Sequence, residues 1–182
     1  MSYFRALQES KKNDLNKDEE KLISICKKFC KYDYINKGRT LSSSEFSKQG
    51  GGICYDFVNI MHSVMPYLHK CIFICNGDKD NTPIASHTFI LVNLENSIYW
   101  VECSWGPFRG VMRFDNYDKA ISFIIKKHKK GKFLYSAQYT PNSRLIGITV
   151  DEFITKMNSL PEYKFKYIGN AKPDKIVYKQ NA

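Results

Sequence analysis

The sequence predicts an α+β domain in which a central, cysteine-bearing helix packs on an antiparallel sheet. Three observations predict it. A segment with helical periodicity starts at Cys54, and two apolar segments at 88–94 and 98–104 are separated only by Glu95-Asn96, as in a hairpin. Helices also precede a meander of strands instead of alternating with them. A chain of 182 residues suits one such domain.

The first predicted helix covers residues 17–32. Residues 1–16 before it are polar and lysine-rich, and we expect a flexible lead-in there. Behind an acidic start, apolar side chains recur at helical spacing: Leu22, Ile25, Cys26 and Phe29. Residues 36–52 are rich in Gly and Ser, so they predict a loop that leads to Cys54.

The central helix follows this loop. Its apolar positions keep the i, i+3, i+4 pattern, and Pro66 lies near its end; they are Phe57, Val58, Met61, Val64, Met65 and Leu68. A short apolar strand at 71–75 comes next, and the polar residues 76–83 predict a loop.

The hairpin strands at 88–94 and 98–104 continue into a third predicted strand at 109–115. Further on we predict a helix marked by Ala120, Ile121, Ile124 and Ile125, a strand at 132–139, and a helix from the capping box Thr149-x-x-Glu152 through Met157. We place the domain at 17–160 and expect a basic, aromatic tail at 161–182.

The charge is strongly positive, with 28 Lys and Arg against 18 Asp and Glu. Basic residues concentrate in 126–132 and in the tail, but neither stretch forms a nucleic-acid module, and a solvated helix end explains the run at 126–132 better than a nucleic-acid surface. No stretch reaches the roughly 18 apolar residues of a membrane span, and the N-terminus has no apolar signal segment. We therefore expect a cytoplasmic protein whose six cysteines are free thiols.

Cys54 is the predicted nucleophile. It follows Gly50-Gly51-Gly52-Ile53 and begins the central helix. The partial positive charge at a helix N-terminus favours a thiolate over a thiol.

A cysteine nucleophile needs a base, and the four histidines differ in reach. His62 lies eight residues along the same helix, about 12 Å away at a rise of about 1.5 Å per residue. His69 is farther still, and His128 lies among lysines that disfavour its protonated form. His87 remains, as the residue that opens the first hairpin strand.

Glu102 is the predicted partner of His87. With a tight turn at 95–96, residues 87 and 102 lie within reach of a cross-strand or diagonal pair. The carboxylate would then hold one ring nitrogen and direct the other toward the thiolate. Trp100 and Trp105 flank Glu102 and are expected to exclude water.

The segments around these three residues resemble the motifs of transglutaminase-like, papain-related cysteine enzymes. The resemblance covers residues 48–115 and rests on Gly-Gly-Ile-Cys54-Tyr-Asp56, His87-Thr-Phe and the segment 99–105, although the third position is more often aspartate in that superfamily. It implies Cys54 as nucleophile, His87 as general acid and base, and Glu102 as the residue that orients His87.

The same resemblance suggests an oxyanion donor and a second family. Papain-type enzymes use the cysteine N–H and an upstream glutamine, which makes Gln49 a candidate. Arylamine N-acetyltransferases also resemble this stretch, but their pattern has arginine where Gly50 stands here. We interpret Asp56 as structural, because a carboxylate in the first turn stabilises the helix dipole.

From these residues we expect a cysteine hydrolase or acyltransferase, without cofactor or metal, that attacks an amide in a protein or peptide and forms a thioester at Cys54. A peptidase or deamidase is preferred to a cross-linking enzyme, because water needs no second binding site. Acetyl transfer from acetyl-CoA and a catalytically silent module that binds an anionic partner stay open. The C-x3-C pairs at 26–30 and 71–75 do not have the spacing typical of structural zinc.

Overall fold

The computed structural model describes residues 15–128 and 130–180. Within them, five α-helices are Lys17–Cys30 (α1), Ser43–Gln49 (α2), Cys54–Val64 (α3), Tyr117–His128 (α4) and Val150–Asn158 (α5). The strands are Asp33–Tyr34 (β1), Gly51–Gly52 (β2), His69–Gly77 (β3), Pro83–Leu94 (β4), Ser97–Glu102 (β5), Gly110–Phe114 (β6), Lys132–Tyr139 (β7) and Lys175–Lys179 (β8).

Six of these strands form one sheet in the order β7-β3-β4-β5-β6-β8, and every neighbouring pair is antiparallel. Helix α3 packs against β4 of this sheet. The predicted α+β class, with the cysteine helix on an antiparallel sheet, is therefore confirmed. The two remaining strands, β1 and β2, form a separate parallel pair.

Two hydrophobic clusters cover the two faces of the large sheet, because successive strand residues point to opposite faces. In β4, Ile90 and Val92 join the cluster that contains the apolar faces of α1, α3 and α5. Phe89 and Leu91 join the cluster that contains α4. Both faces of the sheet are thus buried.

Helix α3 ends before the sequence pattern suggested. Its last residue is Val64, and Met65 already has extended backbone angles, because a residue before proline is disfavoured in the α region. Leu68, predicted as an apolar helix position, lies beyond this end with 74% of its surface exposed.

Two sequence predictions were wrong about local structure. Residues 36–52 are not one loop, because α2 forms inside them behind a capping box in which Ser42 and Glu45 bond each other's backbone N–H. The described part of the predicted tail at 161–182, residues 161–180, is not separate from the domain, since β8 pairs with β6 at the edge of the sheet. The lead-in predicted at 1–16 lies outside the described residues except for its last two.

A buried ion pair joins β8 to α1. Lys175 Nζ lies 2.7 Å from Glu19 Oε2, and the Tyr99 hydroxyl donates to Glu19 Oε1 at 3.2 Å. Glu19 is only 2% exposed, so this pair replaces water as the partner of its charge. In the described part of the chain, no helix has the length and apolar character needed to cross a membrane.

Candidate active site

The approach of the chain to Cys54 depends on two glycines. Gly50 ends α2 in the left-handed region at φ 81°, which glycine adopts without a steric penalty. Gly51 then pairs with Asp33, and a Cβ on it would lie 1.9 Å from the Asp33 carbonyl oxygen. This close parallel pairing of β1 and β2 brings Tyr34 and Asn36 beside the start of α3.

Asp56 holds the start of α3 in place. Its Oδ1 accepts the Leu41 N–H at 2.7 Å, and its Oδ2 accepts the Ile53 N–H at 2.9 Å. Burial raises the pKa of Asp56 to about 6, although both hydrogen bonds lower it. The contacts fit the structural interpretation of Asp56, and they leave Cys54 as the first residue of the helix.

Cys54 is the accessible thiol of the protein. All six cysteines lie in the described residues and are free, and only Cys54 among them is not buried. Its side chain lines a cleft of about 740 Å³ together with His87 and Trp105. As the first helical residue, its own backbone N–H has no acceptor within the helix.

The His87 and Glu102 side chains are in contact. Nε2 of His87 lies 2.9 Å from Oε2 of Glu102, and both residues are at most 5% exposed. The second carboxylate oxygen, Oε1, accepts the Ser104 N–H at 2.7 Å, the Ser104 hydroxyl at 2.8 Å and the Trp105 N–H at 2.9 Å. The carboxylate is therefore held by four hydrogen bonds.

These contacts set the charge of the imidazole. Burial lowers the pKa of His87, but the charge of Glu102 and hydrogen bonds to Cys54 and Glu102 outweigh it and raise the pKa from 6.5 to about 10. For Glu102, burial has the opposite effect and raises the pKa, but His87 and the hydrogen bonds at Oε1 lower it below its ordinary value. The contact between the two groups therefore favours the charged form of each. Since Nε2 contacts Glu102, Nδ1 is the nitrogen left for Cys54.

His87 does not open a strand, as the sequence had suggested. Strand β4 begins at Pro83, so His87 is its fifth residue and has strand residues before and after it in the chain. Trp105 packs edge-on against its ring at 5.3 Å between centroids, while Trp100 is fully buried behind Trp105. Of the two tryptophans, Trp105 is therefore the one that contacts His87 directly.

His128, which sequence reasoning set aside, also lies in the cleft. Its ring stacks on that of His87 at 5.8 Å and 17°, and its Nδ1 accepts from Asn76 Nδ2 at 3.3 Å. Burial, the charge of His87 and Lys130 lower the pKa of His128 to about 4. The sequence pattern did not indicate this residue, because it lies within the lysine run at 126–132. His128 is the last residue of α4 and the one residue of that helix that lines the cleft.

Gln49 is not positioned as an oxyanion donor. It is the last residue of α2, and its Nε2 donates to the Gly51 carbonyl at 3.1 Å, outside the residues that line the cleft. Tyr34 and Asn36 line the cleft instead. Although 54% of the Tyr34 surface is exposed, partial burial and the negative charges of Cys54 and Asp56 raise its pKa to about 12, so its hydroxyl remains a donor at neutral pH.

A cluster of cysteine sulfur atoms lies against the backbone of Glu102. The Glu102 carbonyl accepts from Cys26 Sγ at 3.6 Å and from Cys30 Sγ at 3.7 Å, and Cys103 Sγ lies 3.8 Å from Cys26 Sγ. Cys71 and Cys75 lie on β3 and are not part of it. The two C-x3-C pairs therefore do not combine into one four-thiol site.

No protein-family model matches this chain, and no curated protein sequence matches it. The arrangement places an accessible thiol at a helix N-terminus in the same cleft as an imidazole that is bonded to a buried carboxylate. Such a group can attack an electrophilic carbonyl and return a proton to the leaving group.

Proposed function

We propose that the chain is a transglutaminase-like cysteine enzyme that attacks an amide carbonyl through Cys54 and forms a thioester. One observation carries the proposal: Cys54 and His87 line the same solvent-open cleft, and His87 is held there by Glu102 at 2.9 Å. Each of the three side chains is common alone, but their order along this chain of contacts is that of a nucleophile, a base and an orienting acid.

The reaction follows from the charges of these groups. The thiolate attacks the carbonyl carbon and forms the C–S bond, and the electron pair of the C=O bond moves to oxygen. When that pair returns, the C–N bond breaks, and imidazolium Nδ1 gives its proton to the departing amine. Water then attacks the thioester while neutral His87 takes its proton, which releases the acid and restores Cys54.

Two donors are suited to the developing oxyanion. The backbone N–H of Cys54 has no intrahelical acceptor and points out of the helix start. We assign the second donation to the Tyr34 hydroxyl, which lines the cleft and is close enough for the charge of Cys54 to raise its pKa. Tyr34 takes the place that the resemblance had given to Gln49.

We propose a protein or peptide substrate and water as the acyl acceptor, hence a peptidase or deamidase. A cleft of about 740 Å³ falls within the usual range for sites that bind small molecules or side chains. A cytoplasmic location stays a prediction, supported by six free thiols.

The test is selective labelling of Cys54. Intact mass is measured after brief treatment with iodoacetamide at mildly acidic pH, where ordinary thiols are protonated and unreactive. We expect one adduct per wild-type chain, one on Cys75→Ser and none on Cys54→Ala, all three folded by circular dichroism. Labelling of Cys54→Ala as fast as wild type would refute the proposal.

The same preparations separate the alternatives. Acetylation of Cys54 by acetyl-CoA, seen as a mass gain that Cys54→Ala lacks, would favour acetyl transfer over amide hydrolysis. Salt-dependent binding of an oligonucleotide that persists in Cys54→Ala, together with no labelling of wild type, would favour the binding module.

A further inference from the structure

A second group of chemically active side chains lies at the opposite end of helix α3 from Cys54. It consists of His62 in the last turn of α3 and of His69 and Cys71 at the start of β3. Their ligand atoms, one ring nitrogen from each histidine and the cysteine sulfur, all lie within 4.8 Å of one another. The proposed reaction uses none of the three.

The fold brings these residues together for a simple reason. His69 and Cys71 are two apart in a strand, so their side chains share one face of the sheet. That face is the one on which α3 packs, since Cys71 and the apolar residues of α3 belong to the same buried cluster. The end of α3 therefore brings His62 to the strand face that carries the other two.

Hydrogen bonds fix which nitrogen of His69 is available. Its Nδ1 lies 2.6 Å from the Tyr67 carbonyl oxygen, which can only accept, so Nδ1 carries the hydrogen. Its Nε2 then has a free lone pair, directed at His62 Nδ1 at a distance of 2.8 Å. A histidine whose other N–H is bonded to a backbone carbonyl is the usual form of a metal ligand.

We propose that His62 Nδ1, His69 Nε2 and Cys71 Sγ form a binding site for a divalent metal ion of the zinc type. Two imidazoles and one thiolate are ligands that Zn²⁺ accepts in tetrahedral geometry, at about 2.0–2.1 Å for nitrogen and about 2.3 Å for sulfur. Tetrahedral binding at these bond lengths requires the two nitrogens to separate from 2.8 Å to about 3.3 Å. Both histidines are half-buried, which leaves room for water as the fourth ligand.

The ion replaces the thiol proton of Cys71, which is released to solvent. The hydrogen on His62 Nδ1 is lost to solvent while Nε2 gains one, so the imidazole stays neutral and only its tautomer changes. The bound ion would join the last turn of α3 to β3. Because the ion binds the folded state and not the unfolded chain, it would raise Tm.

The buried thiols Cys26, Cys30 and Cys103 offer a competing site, with ligand atoms that also lie within 4.8 Å of one another. They are at most 1% exposed, so an ion would reach them only when the chain opens. The histidine site differs because its two imidazoles are reached from solvent.

The experiment uses the full chain with Cys54→Ala, which removes the accessible thiol, after treatment with a chelator. Native mass spectrometry with added Zn²⁺ measures stoichiometry, and Co²⁺ reports a thiolate ligand through its charge-transfer absorption. We expect one ion per chain, a thiolate–cobalt band and an increase in Tm. His62→Ala, His69→Ala or Cys71→Ser should each weaken binding by more than about tenfold.

Matched controls keep the result decisive. Cys75→Ser removes another buried thiol of the same strand and should bind the ions as the parent does. Cys103→Ser tests the competing cluster. Failure of the parent to bind either ion, unchanged binding in both histidine variants, or loss of the cobalt band in Cys103→Ser instead of Cys71→Ser would each overturn the proposal. Labelling of Cys54 in wild type is a separate readout, so failure of this site and of the proposed function are distinguishable.

Discussion

Glu102 reaches His87 along a diagonal of the β4–β5 ladder. The register pairs Ile90 with Val101, so its continuation puts Glu102 opposite Phe89, two residues from His87. Diagonal neighbours are about 7–8 Å apart, which only long side chains span. The Nε2–Oε2 distance of 2.9 Å shows that the glutamate closes this gap. Glutamate is longer than the aspartate that is more often found at this position in the superfamily that the sequence resembles, and the extra length lets it span the diagonal.

Shortening the Glu102 side chain and removing its charge should both lower the reactivity of Cys54, for different reasons. Glu102→Asp removes one methylene and breaks the contact, whereas Glu102→Gln keeps the length but loses the charge that raises the pKa of His87. We expect both to slow alkylation of Cys54 by about 100-fold or more at pH 7. Rates are measured by intact mass against pH. A wild-type rate in Glu102→Asp would contradict the diagonal-reach argument.

The His87–Glu102 pair also makes stability depend on pH. The pKa of His87 is raised from 6.5 to about 10, so its contribution is complete below 6.5 and is lost as pH rises through about 10. The pKa of Glu102 is lowered, so its contribution is present above 4.5 and is lost as pH falls through the lower value. At about 1.4 kcal/mol per pKa unit, we expect a loss of a few kcal/mol between pH 6.5 and 10. Urea unfolding should show a flatter profile for Glu102→Gln; equal slopes would rule this out.

Tyr34→Phe tests the assigned oxyanion donor. It removes only the hydroxyl, so we expect folding to be unchanged and acyl transfer to a model amide or ester to slow by about 10²–10³-fold. Alkylation of Cys54 by iodoacetamide forms no oxyanion and should stay near the wild-type rate. Gln49→Ala is the matched control and should leave both rates unchanged. A greater loss in Gln49→Ala would restore the original assignment.

Gly51→Ala should disrupt the entry to α3. The added Cβ would lie 1.9 Å from the Asp33 carbonyl oxygen, a backbone atom that cannot move aside alone. We expect the free energy of unfolding to fall by about 2 kcal/mol or more, with slower labelling of Cys54. Gly169→Ala is the control, because its Cβ would meet nothing closer than Tyr167 at 3.8 Å. Equal stability of the two variants would argue against the close β1–β2 pairing.

Lys175→Met should reveal how strongly β8 is attached. It leaves Glu19, only 2% exposed, without its ionic partner, and such loss costs about 3–5 kcal/mol. Lys119→Met removes a more exposed pair with Asp115 and should cost much less. Chemical denaturation measures both. Losses of similar size would mean that the Glu19–Lys175 pair is not effectively desolvated.

Much of the site could be predicted from local pattern. The apolar spacing after Cys54 predicted a helix that begins there, and α3 begins at Cys54. The turn at 95–96 has positive φ at both residues, 46° and 66°, as in a two-residue hairpin turn. That turn sets the register, and the register brings His87 near Glu102. Period and turn chemistry are properties of adjacent residues, which a sequence displays directly.

What stayed hidden depends on contacts between distant segments. Tyr34 enters the cleft through a two-residue parallel pairing with Gly52, too short to have any periodicity. His128 arrives at the end of α4, and β8 joins a strand more than sixty residues earlier.

The sequence by itself determined the helix that presents Cys54 and the hairpin that carries His87 and Glu102, because short-range periodicity and one tight turn are enough for both. Only the tertiary structure decided that Tyr34 and His128 share the cleft, that Gln49 does not, and that His62, His69 and Cys71 meet. Those encounters depend on how burial of apolar surface packs the elements together, and no local pattern encodes that geometry.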